Sequence, residues 1–482
     1  MKFNYVVGNP PFQDNKNRGK TQHKLWIEFT LNSFNDFLAD DGKMIWITPS
    51  SWGSPSNKIL KLFKQTHVSD IYLDIDEYFP KIGSTFSFYV LDKGASKTST
   101  NIHSNEKISK LVLDDSIPYF PNDFNEISLS IHKKVFFDSK GTLETKHDYV
   151  TCHNVIRHKK KILSKKIDEL NKRLSCEVSS AKRNSLSEMI HKKKKELSEA
   201  FITVSEKKTS QHVYPILHTN KKIWYSSIKQ SFADNKKVMW SRSGYTKPFY
   251  DDGNLGCTDM GYYIEVVGEE QGRNLESFLT SKLMAYIFRT AKWSGFGNEL
   301  VFNGIPKIDL TNKLTDQQIF DLFNLTEEEV SYIENGVKKK KQKRNLSSQT
   351  KNEKRIKELG EVFTPKQLVE QTLEHVREQD WQNRETTFLD PACGNGNFLV
   401  EILEKKIKNG NSVLQALQTT YGVDIMSDNV RECRKRLFEV GLKYDKAPTK
   451  EWKAALLTNI RVANTLENTL EEIFNAPLTD DT

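Results

Sequence analysis

Two short runs at opposite ends of the chain carry residue types with specific chemistry. The first is Asn9-Pro10-Pro11-Phe12. Proline fixes φ and has no N–H, so two consecutive prolines leave rigid outward carbonyls with no competing donors. The Asn9 amide oxygen and the Pro10 carbonyl can each accept one hydrogen from an exocyclic NH2. Held this way, the amine keeps its lone pair for attack on an electrophilic methyl group. That is electrostatic preorganisation, not proton abstraction by a strong base. Phe12 offers a flat face for a base taken out of its stack. A proline-bounded turn with a core Phe explains the tetrapeptide equally well when it is taken alone.

The second run is Asp390-Pro391-Ala392-Cys393-Gly394-Asn395-Gly396-Asn397-Phe398. It reads as strand, tight glycine loop and helix, the arrangement that receives ligands at the carboxyl ends of strands. Phe398-Leu399 replaces the third glycine of a dinucleotide fingerprint, and no Gly-Lys-Ser/Thr follows, so a pyrophosphate ligand is disfavoured. Asp390 suits a ligand bearing an ammonium group. Asp424 ends the next strand, Tyr421-Gly422-Val423, where a carboxylate can accept from ribose hydroxyls. A ribose and an ammonium without a pyrophosphate describe S-adenosylmethionine; the competing reading is a purely structural turn.

These loops need strands behind them. Residues 3–7 read as a short buried strand closed by Gly8 and the prolines. Lys24 to Leu38 has helical spacing, Met44 to Ile47 reads as a strand opened by Gly42 and stopped by Pro49, Ile71 to Ile75 as another, and Thr85 to Leu91 alternates after the Phe79-Pro80 turn. In the C-terminal part, Pro365 takes an N1-like place before a helix over Lys366 to Arg377. Phe388-Leu389 forms a strand, Phe398 to Lys408 a helix, a further helix starts at Asp428, and Ile460 to Val462 is a third strand. The pattern is that of an α/β sheet.

Between the two ends, residues 157–197 are Lys-rich, with Leu163, Ile167, Leu170 and Leu174 at a spacing that fits a helical hairpin. A solvated helical arm is the favoured reading, and a DNA-gripping arm the alternative. Residues 201–335 are mixed and aromatic-rich, with turns such as Trp240 to Tyr245 and Trp293 to Asn298 that suit base-edge contacts and equally an ordinary small domain. Thr326 to Ile333 begins with a capping box, and Lys338 to Arg344 reads as an exposed basic linker.

The 482 residues are enough for about three domains at roughly 100–200 residues each. A hydrophobic fraction of 37% supports a core, and the net charge of +9 fits a nucleic-acid partner without singling one out. Cys152, Cys176, Cys257, Cys393 and Cys433 form no CxxC pair, so a zinc site is not expected and the thiols read as reduced. The first apolar run is too short for a signal peptide and no stretch approaches a membrane span, so a cytoplasmic protein without membrane contact is expected.

With Asn9-Pro10-Pro11-Phe12 and the Asp390–Phe398 loop together, the chain resembles the N6-adenine DNA methyltransferases of restriction–modification systems. The resemblance covers both α/β ends and, more weakly, the middle. It implies a Rossmann-like S-adenosylmethionine-dependent methyltransferase sheet assembled from N- and C-terminal halves, with an inserted helical arm and an α+β target-recognition domain. The implied segments are a catalytic half (1–135), a Lys-rich helical arm (136–200), a target-recognition domain (201–335), a basic linker (336–350) and a cofactor-binding half (351–482). The family places the cofactor half first, so the order here resembles a circular permutation. The resemblance assigns catalysis to Asn9, Pro10, Pro11 and Phe12, and stacking of the target base to Phe12 and Phe79. It assigns the cofactor to Phe363, Thr364, Pro365, Asp390, Ala392, Gly394, Gly396, Asp424 and Ile425, with Trp46 lining its adenine. Asn464 stands where the family has an Asp for the adenine amine, and its amide oxygen can still accept. The implied partner is double-stranded DNA, with a separate restriction endonuclease as a further candidate. A bifunctional nuclease–methyltransferase, or a methyltransferase for RNA or protein amide NH2, is the alternative, and the large middle segment argues for DNA.

Overall fold

The structure, a computed structural model, describes residues 1–12, 25–55, 57–73, 75–79, 85–104, 107–138, 141–148, 157–176, 180–199, 203–218, 222–242, 247–291, 299–335 and 363–477. Pro80, Cys152, Ser243–Tyr245, Trp293–Asn298 and the basic run Lys338–Arg344 lie outside these residues. The chain divides into two units, Met1–Leu129 with Lys338–Thr482, and Ser130–Val337.

The first unit is built on one nine-stranded sheet. Its strands are β1 (Phe3–Gly8), β2 (Leu38–Pro49), β3 (His67–Tyr72), β4 (Phe86–Asp92), β5 (Thr100–Ser104), β6 (Lys107–Leu111), β7 (Phe388–Asp390), β8 (Thr420–Asp424) and β9 (Ile460–Val462). Their order across the sheet is β9-β8-β7-β1-β2-β4-β3-β5-β6. The run from β9 to β2 is parallel, whereas β4 is antiparallel to both β2 and β3. The C-terminal strands thus step outward in one direction from β7, and the N-terminal strands step outward in the other from β1. The switch lies between β7 and β1, where Tyr5 pairs with Phe388 and Val6 with Leu389.

The seam between the two ends of the chain is tightly bonded. Asn4 Oδ1 accepts from Thr387 N at 3.0 Å, and Tyr5 N donates to Thr387 O at 3.0 Å. The Tyr5 ring stacks on Phe388 with centroids 4.9 Å apart, and Trp381 stacks on Phe388 at 5.3 Å. The Tyr5 hydroxyl donates to Asp380, whose carboxylate also takes the Arg377 guanidinium at 2.6 Å. Burial, together with the Asp380 carboxylate, pushes the Tyr5 phenol up to about 12. Arg377 and Asp380 thereby anchor β1 rather than forming the end of a long helix. The helix expected over Lys366 to Arg377 is shorter, Lys366–Leu373, and Pro365 is its N-cap residue, not N1.

Other ends also move where packing overrides local spacing. The helix expected to Leu38 is Leu25–Asn32, followed by a π turn over Ser33–Phe37. β2 begins at Leu38 because that residue already pairs with Phe3. The strand expected at Ile71 to Ile75 is His67–Tyr72, drawn back by its ladder with β4. The helices Asn397–Lys408 and Ser427–Tyr444 follow β7 and β8.

The second unit holds two four-stranded sheets. One contains Tyr214–Leu217 and Ile223–Ser226; the other contains Lys236–Ser241 and Gly261–Glu265. Leu217, Met239, Cys257 and Tyr263 share a small core. The helices Arg157–Cys176 and Ser180–Glu199 pair as a hairpin around Leu170, Leu186 and Ile190. The capping box at Thr326 is present, with Thr326 N donating to Glu329 Oε2 at 2.7 Å and Glu329 N to Thr326 Oγ1 at 3.2 Å. Among the described residues no helix is long and apolar enough to cross a membrane, and no group of His, Cys, Asp and Glu is arranged to hold a metal ion.

Lys406, on the helix after β7, is fully buried, and its ammonium donates to Thr386 O and Thr419 Oγ1 at 2.6 Å each. These acceptors lie just before β7 and β8, so one side chain pins the starts of both strands. Burial pulls its pKa down to about 8, so its donor bonds must offset a desolvation cost. Lys406→Ala removes both bonds and opens a cavity, and is expected to lower unfolding stability by about 2–4 kcal/mol in a denaturant titration.

Candidate functional site

The loops after β1 and β7 leave the carboxyl ends of adjacent parallel strands at the switch point, where open α/β sheets bind ligands. Gly8 ends β1 between two residues assigned from sequence. A Cβ placed on it would lie 2.9 Å from Asp390 Oδ1 and 3.1 Å from Trp46 Cζ3. Only a residue without a side chain lets these groups approach.

Asp390 is 2% exposed, and its Oδ1 accepts from Ala392 N at 3.1 Å. Burial above all pushes its pKa up to about 8; the Ala392 N–H opposes the rise and the Asp424 carboxylate adds to it. Gly394 and Gly396 both have left-handed backbone, with φ of +53° and +86°. Gly396 caps the helix Asn397–Lys408, and a Cβ there would lie 2.5 Å from Cys433 Sγ. Asp424 braces the loop from β8: its Oδ2 accepts from Gly394 N at 2.9 Å and its Oδ1 from Met426 N at 2.8 Å. Ile425 beside it is 57% exposed.

Phe363, Thr364 and Pro365 close over this loop. The Phe363 ring lies 3.1 Å from where a Gly394 Cβ would stand. Thr364 is 3% exposed and connects the two chemical runs. Its hydroxyl accepts from Asn9 Nδ2 at 3.1 Å, and its carbonyl accepts from Asn397 Nδ2 at 2.9 Å. Asn397 Oδ1 accepts in turn from Arg436 Nη1 at 2.7 Å, as does Asn395 O. Sequence reasoning missed this Asn9–Thr364–Asn397–Arg436 chain. Asn9 and Thr364 are 355 residues apart, and no local pattern marks Arg436 on its helix.

Asn9, Phe12, Thr364, Asp390, Gly394 and Asp424 therefore fall around one pair of loops. Pro10 is buried, and Pro11 and Phe12 are half-buried. Two of the assigned aromatics are buried. Trp46 has no exposed surface, its indole N–H donates to Thr30 Oγ1 at 2.9 Å, and its ring edge lies against Gly8. Phe79 is 3% exposed and packs on Phe86 at 4.7 Å, while Phe86 meets Phe12 at 5.1 Å. Phe79 thus packs behind the Phe86–Phe12 pair. Asn464 is half-buried and uses its Oδ1 to accept from Leu466 N at 3.1 Å, which turns the chain after β9.

Comparison with known families agrees with the two loops. Residues 1–78 match the family model of the Eco57I restriction-modification methylase, and residues 324–476 match that of the N-6 DNA methylase. The two matches cover the two ends of the chain that carry the Asn9 and Asp390 loops, and each spans less than half of its length. No curated protein matches it. Among solved structures, it is similar to the DrdV–DNA complex at 11% identity, covering 64% of this chain and 43% of that one, with a TM-score of 0.29. It is similar to a nuclease-deletion mutant of the Type ISP restriction-modification enzyme LlaGI with a DNA substrate mimic at 9% identity, 63% and 39% coverage and a TM-score of 0.33. Type IIL restriction-modification enzyme MmeI in complex with DNA matches at 10% identity, 97% and 57% coverage and a TM-score of 0.29. The chain spans less than two thirds of the length of each of these structures.

The glycine loop's dependence on Gly396 is testable without any ligand. Gly396→Ala combines left-handed strain with a close Cys433 contact and is expected to cost about 2–4 kcal/mol. In a double-mutant cycle, Cys433→Ala removes the Sγ contact but not the strain, so thermal or denaturant unfolding should show a favourable coupling of about 1 kcal/mol.

Proposed function

We propose that this protein transfers a methyl group from S-adenosylmethionine to the N6 amine of an adenine flipped out of duplex DNA, as the modification activity of a restriction–modification system. The observation that carries the proposal is the hydrogen bond from Asn9 to Thr364, which joins the amine-binding loop to the cofactor loop. Donation from Nδ2 to Thr364 sets the rotation of the Asn9 carboxamide and makes its oxygen the acceptor end. The Pro10 carbonyl supplies the second acceptor, and neither proline brings a competing N–H. Two acceptors on one NH2 fix both hydrogens and leave the lone pair available for attack. Phe12, backed by Phe86 and Phe79, offers a stacking surface held from behind by the core.

The residues at the glycine loop fit S-adenosylmethionine. Two left-handed glycines bring backbone close to a ligand, and the buried Asp390 carboxyl gains an ionic partner when an ammonium arrives. Asp424 stands at the end of β8, where its carboxylate, oriented by the Gly394 and Met426 N–H groups, is suited to accept from the ribose hydroxyls. Phe363 and Pro365 would cover the methionine part, and Ile425 the adenine. Asn464 is proposed to accept from the adenine amine with its remaining lone pair. When bound, the cofactor supplies the electrophilic methyl group. The order of the motifs is read as a permuted family order, which the direct pairing of β1 with β7 supports. The segments 201–335 and 136–200 are proposed as target recognition and a helical arm.

Asn9→Ala should lower methyl transfer to mixed-sequence duplex DNA by at least about 1000-fold with labelled cofactor, while cofactor binding by calorimetry persists. Thr364→Val should lower kcat by about tenfold with Thr364→Ser restoring it, because the hydroxyl acts through Asn9. Undiminished transfer by Asn9→Ala, or wild-type transfer to RNA or protein amides in preference to DNA, overturns the proposal.

Asp390 makes cofactor binding depend on pH. Its raised pKa means that the carboxyl's own contribution to folding falls as pH rises from the ordinary carboxylate range through about 8. A cationic ligand reverses this by favouring the ionised form, so affinity should climb by up to about tenfold per pH unit from about pH 6 to about pH 8, with proton release. Calorimetry in buffers of different ionisation enthalpy should record that release for the wild type and none for Asp390→Asn.

A further inference from the structure

The hairpin of Arg157–Cys176 and Ser180–Glu199 has a charge and composition unlike the rest of the molecule. Residues 157–199 hold fourteen Lys and Arg against six Asp and Glu, a surplus of eight in a chain whose net charge is +9. They contain no Phe, Tyr or Trp, although aromatics make up 11% of the whole chain. The apolar residues needed to hold the helices together form a single narrow seam, with Leu163, Ile167 and Leu170 buried on one helix and Leu186 and Ile190 on the other. Around that seam Lys165, Lys166, Lys172, Arg173, Lys192 and Lys194 are exposed. Lys193 is held by Glu196 at 2.6 Å.

We propose that this hairpin grips the phosphate backbone of duplex DNA without reading its sequence; the inference rests on DNA being the substrate of the site described above. Each helix of 20 residues is about 30 Å long, which spans about nine base-pair steps of duplex axis at about 3.4 Å per step. The cations are mostly lysines, which act on phosphates as point charges; base readout favours the bidentate Arg, Asn and Gln. A protein partner would need apolar or aromatic anchors. Among the described hairpin residues Met189 is the exposed large hydrophobic, at 48%. Single strands are held by stacking on aromatic rings, and the segment has no Phe, Tyr or Trp. Duplex phosphates are the polyanion that fits.

The test uses the full chain with Lys165, Lys166, Lys172, Lys192 and Lys194 replaced by Gln, and a parallel variant with the same five replaced by Arg. Binding to mixed-sequence duplex DNA is followed by fluorescence anisotropy over a salt series, with helix content and the thermal midpoint as controls of folding. The Gln variant should bind at least about tenfold more weakly at about 150 mM salt, and the slope of log K against log salt should fall by about 3–5, while the Arg variant keeps the wild-type slope. The loss should be the same for duplexes of different sequence. An unchanged slope in a folded Gln variant overturns the assignment of the hairpin. Failure of the wild type itself to bind duplex DNA is a different outcome, which overturns the substrate reading along with the inference built on it.

Discussion

Everything in the first unit depends on one parallel strand pair, β1 against β7. This pairing joins residues near the start of the chain to residues more than 380 positions later, with Thr387 bonded to Asn4 at 3.0 Å. Parallel neighbours of this kind place their following loops side by side. Asn9 and Asp390 therefore leave the sheet at the same edge, and Gly8 is the position where the second loop touches the first strand. The Tyr5, Phe388 and Trp381 stack and the Arg377–Asp380 pair fix the pairing at its other end. A shift of one residue in this register would turn Val6 and Val7 to the wrong faces and carry Asn9 away from Thr364.

The polar part of the site is a bracket around that pair. Asp424 ties the glycine loop to β8, Arg436 ties it to the following helix, and Thr364 ties it to Asn9. Each bond constrains a backbone or a carboxamide whose orientation matters, and each comes from a different element. A charged ligand beside Asp390 would then be met by a carboxyl whose ionisation is set by burial, with little local movement required.

Some of this arrangement could be read from the sequence. Asn9 to Phe12 and Asp390 to Phe398 were legible because proline and glycine chemistry is local and their strands are bounded by strong signals. The Lys-rich helices were legible for a similar reason, since Leu163, Ile167 and Leu170 repeat at helical spacing. The burial of Trp46 and Phe79 was not legible, because an aromatic at a strand end has the same local appearance whatever packs on it; Thr30 and Phe86, the neighbours that enclose them, come from other elements. The ends of β2 and β3 shifted because cross-strand partners extend or cut a strand beyond its own apolar run. The Asn9–Thr364 bond had no sequence signal at all, because sequence spacing carries no information on contacts across 355 residues.

The wide separation of β1 and β7 also has a consequence for biosynthesis. At about 5–20 residues per second, the partner of Asn4, 383 residues further on, is made roughly 20–80 s after it. Throughout that interval β1, with Tyr5, Val6 and Val7 destined to be fully buried, has one hydrogen-bonding edge with no strand to receive it. Such an edge invites pairing with other nascent chains. The protein's yield in the cell should therefore be governed by how well the emerging N-terminal strands are shielded on the ribosome, even though the finished sheet hides that edge at its centre.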